Sequence, residues 1–505
     1  MVSKPLTADE ERLAGLYSRE RGTTGHSHAL FQTVQVISCQ FSVLSQKPKP
    51  PVEQVRGRAI PPHQLRLIER TPIIQDWSDF TGPLMIGISM RISPLLAVAV
   101  LGGALCGVAH AGDNWPAFRG PTADGKSDST GLPTTWSETE NIAWKTPLPG
   151  RAWSSPVIWG NQIWLTNATE DGKALSALCL DRDTGKILHD FLVFNVEKSQ
   201  VMHKFNSYAS PTPVIEEGRV YLSWGSYGIA CVDTATAKVL WERRDLICEH
   251  YRGPGSSPIL HGDLLIQHYD GFDFQYVVAL NKHTGKNVWK TDRPTDFGTT
   301  DGDVKKAFAT PIVITVNGRE QLISPASKGI FGYDVKTGEE IWRITFEPFS
   351  TAARPLYHDG VLIFSAGFSK GVMMAVKADG QGDVTKSHIV WSVDKAMPSK
   401  PSPLLVDGLV YAVQDQGVAT CLDEKTGEVV WTGRLGGNYS ASPIYADGKL
   451  YFFSEEGKTS VVAPGREFKL LAENSLPDGF MASPAVSGKA LYLRTRTALY
   501  RVEAK

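Results

Sequence analysis

Leu422-Asp423-Glu424-Lys425-Thr426-Gly427-Glu428-Val429-Val430-Trp431 is the stretch on which the fold turns. An Asp side chain accepts hydrogen bonds from backbone amides two residues on, and a Gly supplies the positive φ that closes a short hairpin. The β-branched and aromatic residues on either side favour pleated strands. The stretch therefore predicts a strand end, a tight turn and a strand start. It returns as Leu180-Asp181-Arg182-Asp183-Thr184-Gly185, as Val232-Asp233 ending in Trp241, as Leu280-Asn281-Lys282-His283-Thr284-Gly285 with Trp289, and as Tyr333-Asp334-Val335-Lys336-Thr337-Gly338 with Trp342. A second phrase alternates with it: a small residue, Pro, a few apolar residues, Gly, then an aromatic and aliphatic run. Its copies start at Ser155-Pro156, Thr212-Pro213, Ser257-Pro258, Thr310-Pro311, Arg354-Pro355, Ser402-Pro403, Ser442-Pro443 and Ser483-Pro484. Steps of 40 residues (Ser402 to Ser442) to 57 (Ser155 to Thr212) match the period of a propeller blade.

One such sheet cannot bury both of its faces, so the copies must stack side by side into a ring. The second phrase supplies the two inner strands of each blade, and the Asp turn joins the two outer ones. The eighth copy, Ser483 to Val502, has no Trp phrase and lacks its outermost strand; Asn141-Ile142-Ala143-Trp144-Lys145-Thr146 reads as that strand. Pairing the two would lock the ring and remove two exposed edges. The expectation is an all-β, eight-bladed β-propeller of four-stranded antiparallel blades over residues 141–505, closed by an N-terminal strand completing the last blade. Repetition in register assigns Trp144, Trp241, Trp289, Trp342, Trp391 and Trp431 to docking between blades. Some copies depart from the pattern. His189 stands where blade one should have Trp, Ala237 replaces Gly in blade two, and blades five and seven lack the Asp-x-x-Thr-Gly turn.

The recurring Asp-x-x-Thr-Gly-x-x-x-Trp phrase resembles the hallmark of the pyrroloquinoline-quinone-like (PQQ-like) β-propeller repeat family, over most of residues 141–505. The lead-in Asn114-Trp115-Pro116-Ala117-Phe118-Arg119-Gly120-Pro121, within 112–140, is similar to the opening of a secreted bacterial branch of that family with unassigned activity. The resemblance implies kinship in fold with the lipoprotein of the outer-membrane barrel-assembly machinery and with quinoprotein dehydrogenases. The dehydrogenases hold their quinone with arginine and tryptophan, usually beside calcium and a catalytic Asp, and many carry two adjacent cysteines. This sequence has no adjacent cysteine pair.

Met90-Arg91-Ile92-Ser93-Pro94-Leu95-Leu96-Ala97 opens the most apolar run of the chain, which ends Ala109-His110-Ala111. One basic residue, an apolar stretch and an A-x-A ending read as a signal peptide over 90–111, and hence as export to the periplasm or cell envelope. Residues 1–89 show no sustained period and read as a gene-start artefact or a disordered extension. Left uncleaved, the run would be a membrane anchor near the lower length limit for spanning. Leu105 before Cys106 argues against lipid attachment, which wants a small residue there.

A formal net charge of -1 argues against nucleic acid as a partner. Cys179, Cys231 and Cys421 sit at one repeat position and read as small core hydrophobes, with Cys248 beside them. The histidines lack ligand spacing, so no metal site is expected, and Asp301-Gly302-Asp303 reads as a solvated turn rather than a calcium loop. No catalytic motif is present. Loops leading into the innermost strands form a propeller's channel mouth, and here they are basic and aromatic. The candidate ligand-binding residues are Arg151, Trp153, Asn206, Tyr208, Arg252, Arg354, Lys400, Asn438 and Tyr439, a set suited to an anionic small ligand or a protein partner. The expected function is a non-catalytic exported platform, expected to be a monomer, with no cofactor. The alternative is a quinoprotein dehydrogenase using PQQ with calcium on an alcohol or sugar, and a weaker third is polysaccharide binding.

Overall fold

The computed structural model describes residues 114–504 apart from Ser369. The signal-peptide reading, the extension 1–89 and Cys106 lie outside the described residues. Eight antiparallel sheets follow one another along the chain. Blade one is Val157–Trp159, Gln162–Ala168, Ala174–Asp181 and Ile187–Asn195. Blades two to seven span 214–243, 259–292, 312–345, 356–397, 404–434 and 444–475. Blade eight runs over 485–503 and takes its outermost strand, Ile142–Pro147, from the other end of the chain, with Lys145 opposite Tyr500. This is the all-β, eight-bladed ring with the closure that the repeats predict.

Each blade's turn is built as its residues dictate. In blade six the Asp423 carboxylate accepts from the amides of Lys425 (3.1 Å) and Thr426 (3.3 Å), and Gly427 sits at φ 72°. Across the middle of the blades a small residue on the third strand lies between two large ones. Cys421 stands between Tyr411 and Trp431, Cys231 between Tyr221 and Trp241, and Ala279 between Ile266 and Trp289. The cysteines are buried and free, filling a slot that a bulkier side chain would overpack.

The tryptophans then lock blade to blade. Each lies over the Gly of the next blade's turn and donates its indole N–H to a carbonyl of that turn: Trp144 to Arg182 (3.1 Å), Trp241 to Lys282 (2.9 Å), Trp289 to Val335 (3.0 Å) and Trp391 to Glu424 (2.9 Å). Trp431 donates to Gly465 (2.9 Å), in the connection that replaces the missing turn of blade seven. Trp342 instead donates to Gln321 within its own blade, because the next blade has no Asp turn to meet it. There the chain makes a longer excursion whose Gly382–Asp383 pairs in parallel with Trp342 and Arg343. Blade four therefore has five strands. Blade seven has five as well, since Lys126–Ser127 pairs in parallel with Tyr445 and Ala446.

A second lock closes the centre. The hydroxyl of the Ser-Pro or Thr-Pro phrase in one blade accepts from the backbone N–H at the same position of the blade before it. The bonds run Ser155 to Thr212, Thr212 to Ser257, Ser257 to Thr310, Arg354 to Ser402, Ser402 to Ser442 and Ser442 to Ser483, at 2.9–3.2 Å. Arginines serve the two remaining seams. Arg354, which lacks a hydroxyl, donates its guanidinium to the Pro311 carbonyl (3.0 Å), and Arg494 donates to the Ser154 carbonyl (2.9 Å).

The lead-in crosses the ring. Trp115 pairs with Ile158 of blade one, Pro116 accepts from Ile215 of blade two, and Arg354 of blade five donates to the Phe118 carbonyl. Arg119 reaches the carbonyls of Pro403 (2.7 Å) and Pro443 in blades six and seven. The segment plugs the channel before running out along blade seven, where Trp136 stacks on Tyr451. No helix among the described residues is long and apolar enough to cross a membrane.

The Gly427 lock is testable. A Cβ there would meet the Trp391 ring at 2.7 Å and hold a left-handed backbone, so Gly427→Ala should lose about 2 kcal/mol or more in urea unfolding. Ala237 occupies the same turn position at φ 55°, where the preceding blade carries His189 in place of the outer-strand tryptophan, and Ala237→Gly should be neutral or gain up to about 1 kcal/mol. Equal responses at the two positions would show that the tryptophan contact does not lock the blades.

Candidate functional site

The loops leading into the inner strands share one face of the ring, here the upper face, with those joining second to third strands. Between blades one and two the upper loop is long, and residues 197–211 lie as a strap toward the channel mouth. Short-range chemistry orders it. Gln200 exchanges hydrogen bonds with the next loop, donating to the Cys248 carbonyl (3.0 Å) and accepting from the His250 amide (2.7 Å). Asn206 donates to the carbonyls of Arg252 and Pro254, both at 3.0 Å. Tyr208 is buried and donates to the Gln200 carbonyl (2.9 Å).

The sequence-predicted residues fall into three groups. Arg151, Trp153 and Lys400 converge on the strap. Arg151 donates to the Lys204 carbonyl and stands over the Trp153 ring, while Trp153 donates its indole N–H to the Phe205 carbonyl (3.1 Å). Lys400, from the loop between blades five and six, reaches across to 6.0 Å from the Phe205 ring. Phe205 thus lies across the mouth. Lys400 is also ion-paired with Glu455 at 2.9 Å. A second group, Asn206, Arg252 and Asn438, braces loops. Arg252 makes a two-pronged ion pair with Asp303 (2.6 Å for each bond), and Asn438 donates to Glu456 (2.8 Å). The third group, Tyr208, Arg354 and Tyr439, is buried, and Arg354 faces the plug rather than an open mouth.

Reading the sequence missed Lys204, Phe205, Met481 and Arg496. With Gly150, Arg151, Trp153 and Glu170 these line a pocket of about 400 Å³ beside the mouth. Phe205 carries a signal in retrospect: a phenylalanine between a Lys and an Asn, in a loop with no repeat counterpart, has no packing role to fill.

Beneath the mouth lies a buried polar knot. The Ser226 amide donates to His250 Nε2 (2.8 Å), while Lys306 Nζ lies 3.1 Å from Nδ1. Burial, with Lys306 beside it, holds the His250 pKa well below its ordinary value. His268 sits between Ser324 (2.7 Å) and the Ala309 carbonyl, and burial pushes its pKa down to about 4. Asp270 and Arg293 form a buried ion pair at 3.1 Å.

Whether these residues fit a quinone can be read from their partners. Arg151 and Trp153, the pair that would hold one, are both bonded to the strap's own backbone, and Phe205 covers the space between them and Lys400. Asp303 is committed to Arg252, and the Asp301 carboxylate caps the one-turn helix Gly302–Lys305. Among the described residues no group of three or more His, Cys, Asp or Glu is placed to hold a metal ion. The arrangement does not fit the quinone.

Two measurements follow. Trp153→Phe removes the bond to the Phe205 carbonyl, so amides of 197–211 should exchange hydrogen about tenfold faster with the global unfolding midpoint unchanged. Unchanged exchange would mean that the strap is held by other contacts. His250 and His268 are neutral when folded and protonate in the unfolded chain below about pH 6.5. The unfolded state therefore binds more protons, and stability should fall as the pH drops from 6.5 toward 4. His268→Gln should flatten that slope in urea midpoints; an unaltered slope would rule His268 out as its source.

The family model described as outer membrane protein assembly factor BamB matches residues 197–291 and 273–505. Outer membrane protein assembly factor BamB of Yersinia pestis is 19% identical over 263 residues, which are 42% of this chain and 64% of that protein. The chain therefore spans just under two thirds of that relative's length. Among solved structures, BamB from Moraxella catarrhalis superposes with a TM-score of 0.50 at 12% identity, over 72% of this chain and 98% of that one. A europium-containing methanol dehydrogenase superposes with a TM-score of 0.58 at 12% identity, over 75% of this chain and 89% of that one. At such identities the likeness to the solved structures is one of fold alone. The family match spans blades two to eight, more than half of the chain, and falls on the repeats that build the ring: this chain belongs to the PQQ-like β-propeller family.

Proposed function

We propose that the chain is a protein-binding platform of the cell envelope, docking its partner on the upper face around the strap. One observation carries the reading. Among the described residues, the exposed large apolar side chains outside the outer strands, Val201, Phe205, Ile247, Phe274 and Phe368, all lie in upper-face loops and are each more than half exposed. Aromatic anchors among charged groups are the make-up of a protein interface, and a cluster of them outside any core marks an interaction site. The hydrogen-bonding groups at the mouth are meanwhile engaged with the protein's own loops, which leaves shape and apolar surface to do the recognising. The matched relatives, named for outer-membrane protein assembly, support a protein as the partner. Export rests on the apolar run 90–111.

The quinoprotein reading is favoured only by likeness of fold to the methanol dehydrogenase. Photo-crosslinking residues placed at Phe274 and Phe368 in the native host should capture a discrete envelope protein, whereas placement at Val429 or Leu470 on the outer strands should not. Phe205→Ala with Phe368→Ala should weaken that capture about tenfold or more. Calorimetric titration with PQQ, with and without calcium, should give no heat. Tight PQQ binding lost on Arg151→Ala would overturn the proposal and put a dehydrogenase in its place.

A further inference from the structure

The central channel holds two buried positive charges with one acid, Asp124, near them. Arg119 of the plug and Arg354 of blade five are both buried, and burial opposes their charge. A guanidinium does not give up its proton in a protein, so burial cannot be relieved by neutralisation. The acid nearby, Asp124, is itself ion-paired with Lys126 at 2.8 Å. Deeply buried Arg293, by contrast, has Asp270 at 3.1 Å. Arg119 and Arg354 have only carbonyls: Asp124, Pro403 and Pro443 for the first, Phe118 and Pro311 for the second. The Nε of each is buried without a hydrogen-bond partner. The two cations also share one space, since Arg354 bonds the carbonyl of the residue next to Arg119 and the charges repel.

Arg354 is out of place in the repeat. The other seven copies have Ser or Thr before the Pro, and a hydroxyl there would complete another link of the inner ring. The arginine instead brings a second buried cation to the first.

We propose that the channel holds a small inorganic anion, chloride in ordinary buffers, between the guanidinium groups of Arg119 and Arg354. The unpartnered Nε–H groups are its first donors, and the charge of the anion offsets repulsion that carbonyl dipoles alone do not remove. The site is separate from the upper-face docking surface.

The test uses the full chain dialysed into gluconate, a bulky anion, and titrated with chloride at fixed ionic strength. The thermal midpoint should rise by equal steps for each tenfold of chloride once the site fills. In Arg354→Ser, which restores the repeat residue, the rise should vanish. Crystals soaked in bromide should show an anomalous peak between the two guanidinium groups, and this decides the matter if Arg354→Ser does not fold. An equal chloride response in wild type and variant, an empty channel in bromide, or a peak without any chloride dependence, meaning an adventitious ion only, would each overturn the proposal.

Discussion

At six of the eight seams between blades, one hydroxyl and one backbone N–H meet at the upper end of the inner strands. These six bonds, five between Ser-Pro or Thr-Pro phrases and one from the Arg354 amide, tie the ring together where the strands crowd closest and where water is excluded. The geometry explains the phrase itself. Proline cannot donate, so the residue before it offers the N–H, and its own side chain must be short enough to accept from the neighbour. A buried amide left without that partner would forfeit more than the bond contributes. Everything further out, from sheet stacking to the position of the loops, hangs on this ring being closed.

The outer lock depends on the inner one and shows the same economy of parts. A tryptophan covers a glycine of the next blade because a Cβ at that glycine would collide with the ring; Gly185 and Gly338 would each place one 2.5 Å from a tryptophan atom. The two irregular residues of the first seam fit this rule as a pair. Blade one presents His189 instead of Trp, and blade two presents Ala237 instead of Gly. With no outer-strand tryptophan over this turn, Ala237 packs instead against the cluster that holds Trp164, and the left-handed backbone is what stands against it.

The architecture was legible because it rests on short-range rules repeated in register. An Asp turn, a Gly at positive φ and a Trp at fixed spacing identify the outer hairpin, and the unmatched strand at Asn141–Thr146 identifies the closure. The site was legible only in part. Arg151, Trp153 and Lys400 were found because they lead into inner strands, but position in a loop does not reveal whether a side chain meets solvent or a neighbouring carbonyl. Tyr208 and Tyr439 turned inward for that reason. Arg354 did carry a signal, as the one basic residue at a hydroxyl position, yet its partner is the lead-in segment, more than two hundred residues away. Contacts of that separation leave no local pattern.

Joining Ile142–Pro147 to the end of the chain has a consequence for how the molecule comes into being. The first full strand of the ring has no partner until the last one, Ala498–Glu503, is made and has paired on its other side with Ala490–Arg494. Throughout synthesis the growing chain is an open arc with two bare edges. Its plug has contacts waiting on blades that do not yet exist. Final closure then joins Ile142–Pro147 to Ala498–Glu503 and encloses the lead-in at once, so loss of Ala498–Glu503 would remove the closing step and not merely a strand.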